Sequence, residues 1–183
     1  MNFYKPTLFD FNDEKWNDHL NEYGYVVLKD ILSKTEINDS MELFKQDINT
    51  VSPNFDINNN ETFTINNTPI MWGKGIAVFN GFGQSNFMWS LRTNSKIQNI
   101  YKKIHNCDEL VTSLDGFSLF VSKTQKSSPW LHIDQNPNNN IYSIQGSYNF
   151  MPVNNDDAGF ICIPKSHITF SPKIKHKNDW VIC

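Results

Sequence analysis

Arginine is almost missing from this chain: Arg92 is the only one in 183 residues. No run of lysines makes up for it, and 16 basic against 19 acidic side chains leave a net charge of -3. Surfaces that hold nucleic acid or anionic membranes carry clustered cations, so neither is expected as a partner. Cysteine is scarce as well. Cys107, Cys162 and Cys183 are odd in number, widely spaced and form no CxxC pair. That excludes a disulfide framework and gives no support to a zinc site. Long apolar runs are missing too, and Met1-Asn2-Phe3-Tyr4-Lys5-Pro6 contains no apolar h-region. The expectation is an intracellular, soluble protein.

What the chain does have is aromatic mass. Hydrophobic residues make up 39% and aromatics 14%, with 14 Phe among them, enough to fill a core and to argue against disorder. The length fits one domain, residues 1–183, and is short for two. Asparagine runs such as Asn58-Asn59-Asn60 and Asn138-Asn139-Asn140 point to an AT-rich coding genome and carry little functional information.

Two helices are predicted. Ser33-Lys34-Thr35-Glu36 fits a capping box, followed by Ile37, Met41, Phe44 and Ile48 at helical spacing. A second helix starts near Asn94 or Ser95 and carries Ile97, Ile100, Tyr101 and Ile104 on one face, a stripe read as core packing. Tyr25-Val26-Val27-Leu28 reads as a short strand before the first helix. From residue 109 the character turns to strands. Residues 109–114 and 117–121 flank Asp115-Gly116, a two-residue hairpin signal. Residues 142–153 alternate, with Gln145, Ser147 and Asn149 on one face and Ile144, Gly146, Tyr148 and Phe150 on the other. Residues 160–163 are a further short strand ended by Pro164, and 52–69 and 135–140 read as loops. A helical and strand region over 1–108 therefore precedes a strand-rich 109–183. The fold class is α+β to mainly β, its second half an antiparallel sandwich or barrel.

Chemistry concentrates in Trp130-Leu131-His132-Ile133-Asp134-Gln135. On a strand, positions i and i+2 share a face, so His132 and Asp134 converge. An imidazole nitrogen and a carboxylate oxygen, joined by one more histidine, form the facial triad of non-heme Fe(II) oxygenases. HxD alone is common on surface strands; its neighbours give it weight. Glu22-Tyr23-Gly24-Tyr25-Val26-Val27-Leu28 resembles the "GYVVL" strand of phytanoyl-CoA dioxygenase-like proteins. Gly83-Gln84-Ser85 with Trp89-Ser90-Leu91-Arg92, and residues 108–117, look like segments found in a subset of that family. Trp130 to Gln135 resembles its metal-binding strand. Gln145-Gly146, and 158–167 ending Pro164-Lys165-Ser166-His167, resemble the "QG" and "GGLxVxPGSH" elements. Order and spacing agree over most of residues 20–167.

The resemblance to this family of Fe(II)/2-oxoglutarate-dependent oxygenases implies a double-stranded β-helix, or jelly roll, behind N-terminal helices. It implies Fe(II) and 2-oxoglutarate as cofactors, hydroxylation of an unactivated C–H bond in a small or lipophilic substrate, and His132 and Asp134 as two metal ligands. Retention of Asp134 favours hydroxylation, since related halogenating enzymes replace that carboxylate. Gln145 could reach the co-substrate, or be an ordinary polar residue on a half-buried strand; Trp130 reads as core. In the family the distal iron histidine and the 2-oxoglutarate arginine follow the "PGSH" element on later strands. The jelly roll is thus expected to be incomplete at Cys183. A continuation of the chain or another copy would complete it, or the chain packs differently. His167 reads as structural or loop-capping, His176 as a solvated residue among lysines, and His19 and His105 as surface residues. Lys165 replaces the glycine of "PGSH", so a turn that usually wants positive φ is expected to be altered or shifted. An enzyme and a non-catalytic binding or assembly module derived from one both remain open.

Overall fold

The computed structural model describes residues 5–71, 75–120, 131–134, 142–154, 157 and 159–169, and the backbone of 181–182. In chain order the first elements are β1 (Leu8–Phe9), α1 (Lys15–Tyr23), β2 (Val27–Leu28), α2 (Lys34–Val51) and β3 (Ile76–Ala77). There follow α3 (Asn86–Arg92), α4 (Ser95–His105), β4 (Phe117–Ser118), β5 (His132–Ile133), α5 (Ser166–Thr169) and β6 (Val181–Ile182). Contacts divide the chain into one compact unit of Met1–Lys29 with Ser127–Cys183 and another of Asp30–Lys126. Among the described residues the sheets are three two-stranded pairs, and none closes. This is an α+β chain.

In the Asp30–Lys126 unit, α2 begins where its capping box predicts. The Ser33 hydroxyl accepts from the Glu36 N–H at 3.3 Å, and the Glu36 carboxylate accepts from the Ser33 N–H at 2.7 Å. Ser40, Phe44 and Ile48, one turn apart, are its buried face. Phe44 meets the rings of Phe87 at 5.1 Å, Phe117 at 5.2 Å and Phe82 at 6.1 Å. Asp47 on the same helix accepts from the Phe87 N–H at 2.6 Å and so caps α3 from outside, where the helix dipole favours an anion. The predicted second helix is α4, capped by Asn94. Ile97, Ile100, Tyr101 and Ile104 are all half-buried on it, and burial pushes the Tyr101 hydroxyl pKa up.

Glu36 also pairs with Lys96 of α4. That hydrogen bond first, then those from Ser33, lower its pKa from an ordinary 4.5 to about 2. A carboxylate whose pKa is depressed by folding stabilises the fold above its unfolded pKa and stops doing so as pH falls through the folded one. Acid unfolding is therefore expected to steepen between about pH 4.5 and 2. Glu36→Gln should flatten that part of the stability curve. An unchanged acid limb in the variant would refute the assignment.

The Asp115-Gly116 hairpin does not form. β4 pairs antiparallel with β3, Ile76 opposite Ser118 and Ala77 opposite Phe117, and residues 109–114 join no ladder. Gly116 is needed for another reason. A Cβ there would lie 1.8 Å from the Ala77 carbonyl oxygen, so only glycine lets the two backbones approach. The preceding turn is tied by Arg92, whose guanidinium donates to the carbonyl oxygens of Gly83 and Asp115 and lies over the Trp89 ring.

In the other unit, β1 and β2 run parallel, Leu8 opposite Val27 and Phe9 opposite Leu28. Trp16 of α1 is fully buried and donates its indole N–H to the Phe11 carbonyl at 2.9 Å. Gly24 ends α1 at φ 78°, its N–H on the Leu20 carbonyl. The predicted strand at 142–153 forms no ladder and keeps its alternation only in part: Ile144, Tyr148 and Phe150 are half-buried and Gln145, Ser147 and Asn149 exposed, but Gly146 and residues 151–153 are exposed as well. Residues 160–163 form no strand either, and Phe160 is 82% exposed. Alternation requires only an extended backbone with one covered face, whereas a ladder also requires a neighbour in register. No helix among the described residues is long and apolar enough to cross a membrane.

Candidate metal centre

β5 is a two-residue strand, paired antiparallel with β6 so that His132 lies opposite Ile182 and Ile133 opposite Val181. That pairing holds the backbone extended at His132, and Asp134 follows two residues on. Their side chains meet: His132 Nε2 lies 3.1 Å from Asp134 Oδ1, with the imidazole 26% and the carboxylate 50% exposed. The distance suits an N–H···O hydrogen bond. It equally suits two donors on one ion, because bonds of ~2.1 Å at right angles leave donor atoms ~3.0 Å apart. The other carboxylate oxygen, Asp134 Oδ2, accepts from Gln145 Nε2 at 2.5 Å. The sequence left Gln145 open between reaching the co-substrate and being an ordinary polar strand residue; no signal in it pointed to Asp134 as its partner.

The remaining histidines take other places. His167 has Nε2 3.0 Å from the Asn21 carbonyl, one of the orphan carbonyls at the end of α1, so it serves the loop as expected. Its ring lies where a Gly24 side chain would begin: a Cβ there would be 2.3 Å from His167 Nδ1. Beside it Lys165 adopts φ 66°, keeping the turn that its replacement of glycine put in doubt. The Lys165 N–H donates to the Tyr23 carbonyl, and its ammonium pairs with Glu22 at 3.0 Å above the Tyr23 ring. That pairing lowers the Glu22 pKa and raises that of Lys165.

His19, expected at the surface, is instead packed between rings. Phe9 lies at 4.9 Å, Tyr23 at 4.5 Å and Tyr25 at 5.2 Å, and its Nε2 is buried without a hydrogen-bond partner. The parallel β1–β2 pairing brings those rings together, which helical spacing alone does not show. His105 is the half-buried last residue of α4. Trp130, Gln135, His176 and most of 168–183 lie outside the described residues. Among the described residues, no three His, Cys, Asp or Glu side chains gather around one point. The donor set among the described residues is one imidazole nitrogen and one carboxylate oxygen, two of the three that a facial triad requires.

Against known proteins, the chain is 24% identical over 159 residues, 85% of its length, to "Ava biosynthesis cluster protein O" of Aspergillus versicolor. The match covers 51% of that protein, so the chain spans about half the length of this curated relative. No family model matches the chain, and no solved structure does.

Proposed function

We propose that this chain carries the two-ligand half of an iron centre in a 2-oxoglutarate-dependent oxygenase that hydroxylates a small or lipophilic molecule. The observation that carries the reading is the 3.1 Å approach of His132 Nε2 to Asp134 Oδ1 from one strand edge. Those two atoms would hold the metal. Fe(II) bound with 2-oxoglutarate would supply the oxidising power needed to hydroxylate an unactivated C–H bond. Its third protein ligand and the cation for the 2-oxoglutarate carboxylate come, in this reading, from polypeptide outside the described residues. A relative about twice as long as the matched segment is in keeping with that, and the biosynthesis cluster in its name fits a small-molecule substrate. Such polypeptide would complete a jelly roll beside residues 147–150, where buried and exposed positions alternate without a ladder. Arg92 does not serve the co-substrate here, because its guanidinium is committed to the Gly83 and Asp115 carbonyls.

Ligand count sets the expected activity. Two protein donors hold a divalent ion more weakly than three, and a missing charge-assisted contact to the co-substrate is worth ~1.5–3 kcal/mol. The 183-residue chain is expected to bind Fe(II) weakly under anaerobic conditions and to release little succinate from 2-oxoglutarate. His132→Ala and Asp134→Ala should each remove the metal binding that remains. Binding that survives both substitutions would overturn the reading. Strong succinate release abolished by His132→Ala would place the third donor within residues 1–183.

A further inference from the structure

We propose that Gln145 is a positioning residue that restricts Asp134 to one-oxygen ligation and thereby selects for small first-row cations over calcium; this rests on the reading of His132 and Asp134 as metal ligands. A carboxylate has two oxygens, and here each has its own neighbour. Oδ1 faces His132 Nε2 at 3.1 Å, and Oδ2 accepts the Gln145 amide at 2.5 Å. An ionised carboxylate only accepts, so the group facing Oδ2 must be the amide nitrogen. Turning both oxygens toward an ion beside the imidazole would break or bend that hydrogen bond, which opposes two-oxygen ligation.

The alternation at 147–150 sets the side from which the donor comes. Gln145 lies on the exposed face of the alternating segment, and the half-buried Ile144, Tyr148 and Phe150 hold the opposite face, with the Tyr148 and Phe150 rings 4.8 Å apart. A one-residue slip would turn the amide away. Hydrogen bonds of this kind orient metal ligands, and losing one commonly costs 10–100-fold in metal affinity. Denticity also discriminates between ions. Calcium takes six to eight oxygens and accepts two from one carboxylate, whereas smaller divalent ions bind at ~2.0–2.2 Å with fewer ligands.

The test compares Mn(II) and Ca(II) dissociation constants for the 183-residue chain, Gln145→Met and His132→Ala. Free Mn(II) is followed by its electron paramagnetic resonance signal, and Ca(II) by competition. Methionine keeps the length of glutamine and removes the amide. In Gln145→Met the Mn(II) constant should rise 10–100-fold while that for Ca(II) stays level or falls, since Oδ2 becomes available. Mn(II) affinity within twofold of the parent would overturn the proposal. An equal loss for both ions, as in a variant that fails to fold, would mark a merely structural role and overturn it as well. Mn(II) bound as tightly by His132→Ala as by the parent, or not bound by the parent at all, would instead remove the underlying ligand assignment.

Discussion

Phe44→Ala is expected to lower the stability of the Asp30–Lys126 unit by ~3–5 kcal/mol, the usual cost of emptying a buried aromatic site. Phe44 is 5% exposed and is ringed by Phe82, Phe87 and Phe117. These neighbours come from three separate segments that are held elsewhere. Phe117 is fixed by pairing with Ala77, Phe87 by the Asp47 cap, and Phe82 lies in a short turn that accepts the Arg92 guanidinium at Gly83. None can relax far into the space left by a removed ring, so most of the cavity cost remains. The substitution would take a large share of a typical 5–15 kcal/mol. Urea unfolding measures it, with Gln46→Ala, exposed on the same helix, as a control. A loss under about 1 kcal/mol would mean that this cluster is not the core of its unit.

Gly116→Ala is the second large effect, and it acts through the backbone. The added methyl would sit 1.8 Å from the Ala77 oxygen and 2.7 Å from its carbonyl carbon. Neither atom belongs to a side chain that could rotate away. β3 and β4 must therefore separate, or the turn must leave the Arg92 guanidinium. We expect a loss of about 3 kcal/mol or more, at the upper end of the overpacking range. Amide exchange at Phe117 should quicken at the same time. Gly81→Ala is the comparison. Its φ of 69° is unusual for a side chain, which that of Gly116 is not, yet no atom lies within 4 Å of the added carbon. Conformational strain alone predicts a cost of only ~1–2 kcal/mol there. Equal effects at the two positions would mean that close approach is not what Gly116 provides.

The contrast between the α2 cap and Asp115-Gly116 shows where sequence reading works. The Ser33–Glu36 box and the stripe of Ile37, Met41, Phe44 and Ile48 are relations within a few turns of one helix; the box is present, and on the stripe Phe44 and Ile48 are buried while Ile37 and Met41 are half-buried. Asp115-Gly116 is also a local signal, but a hairpin needs residues 109–114 to find a place beside 117–121. β4 finds β3 instead, about 40 residues away, where Arg92 secures the preceding turn and the Gly116–Ala77 approach is possible. The short helices α1, α3 and α5 were not foreseen either. α3 depends on a cap supplied by Asp47 from another helix, and α5 follows a turn docked on the end of α1.

At the candidate centre the same division holds. That His132 and Asp134 share a face followed from their i, i+2 spacing on an extended chain, which is a property of the backbone itself. Their role as metal ligands remains our proposal. Which oxygen of Asp134 is engaged, and by what, depended on bringing Gln145 across 11 positions. The burial of His19 among Phe9, Tyr23 and Tyr25, and the seating of His167 on Asn21, were decided the same way. Sequence alone determined the capped helices and the pairing of one imidazole with one carboxylate, because each rests on spacings of a few residues. Tertiary structure alone decided which strand β4 joined, what His19 and His167 touched and how Asp134 was held. Those contacts join segments far apart in the chain, and their partners are selected by packing and backbone pairing that no short spacing encodes.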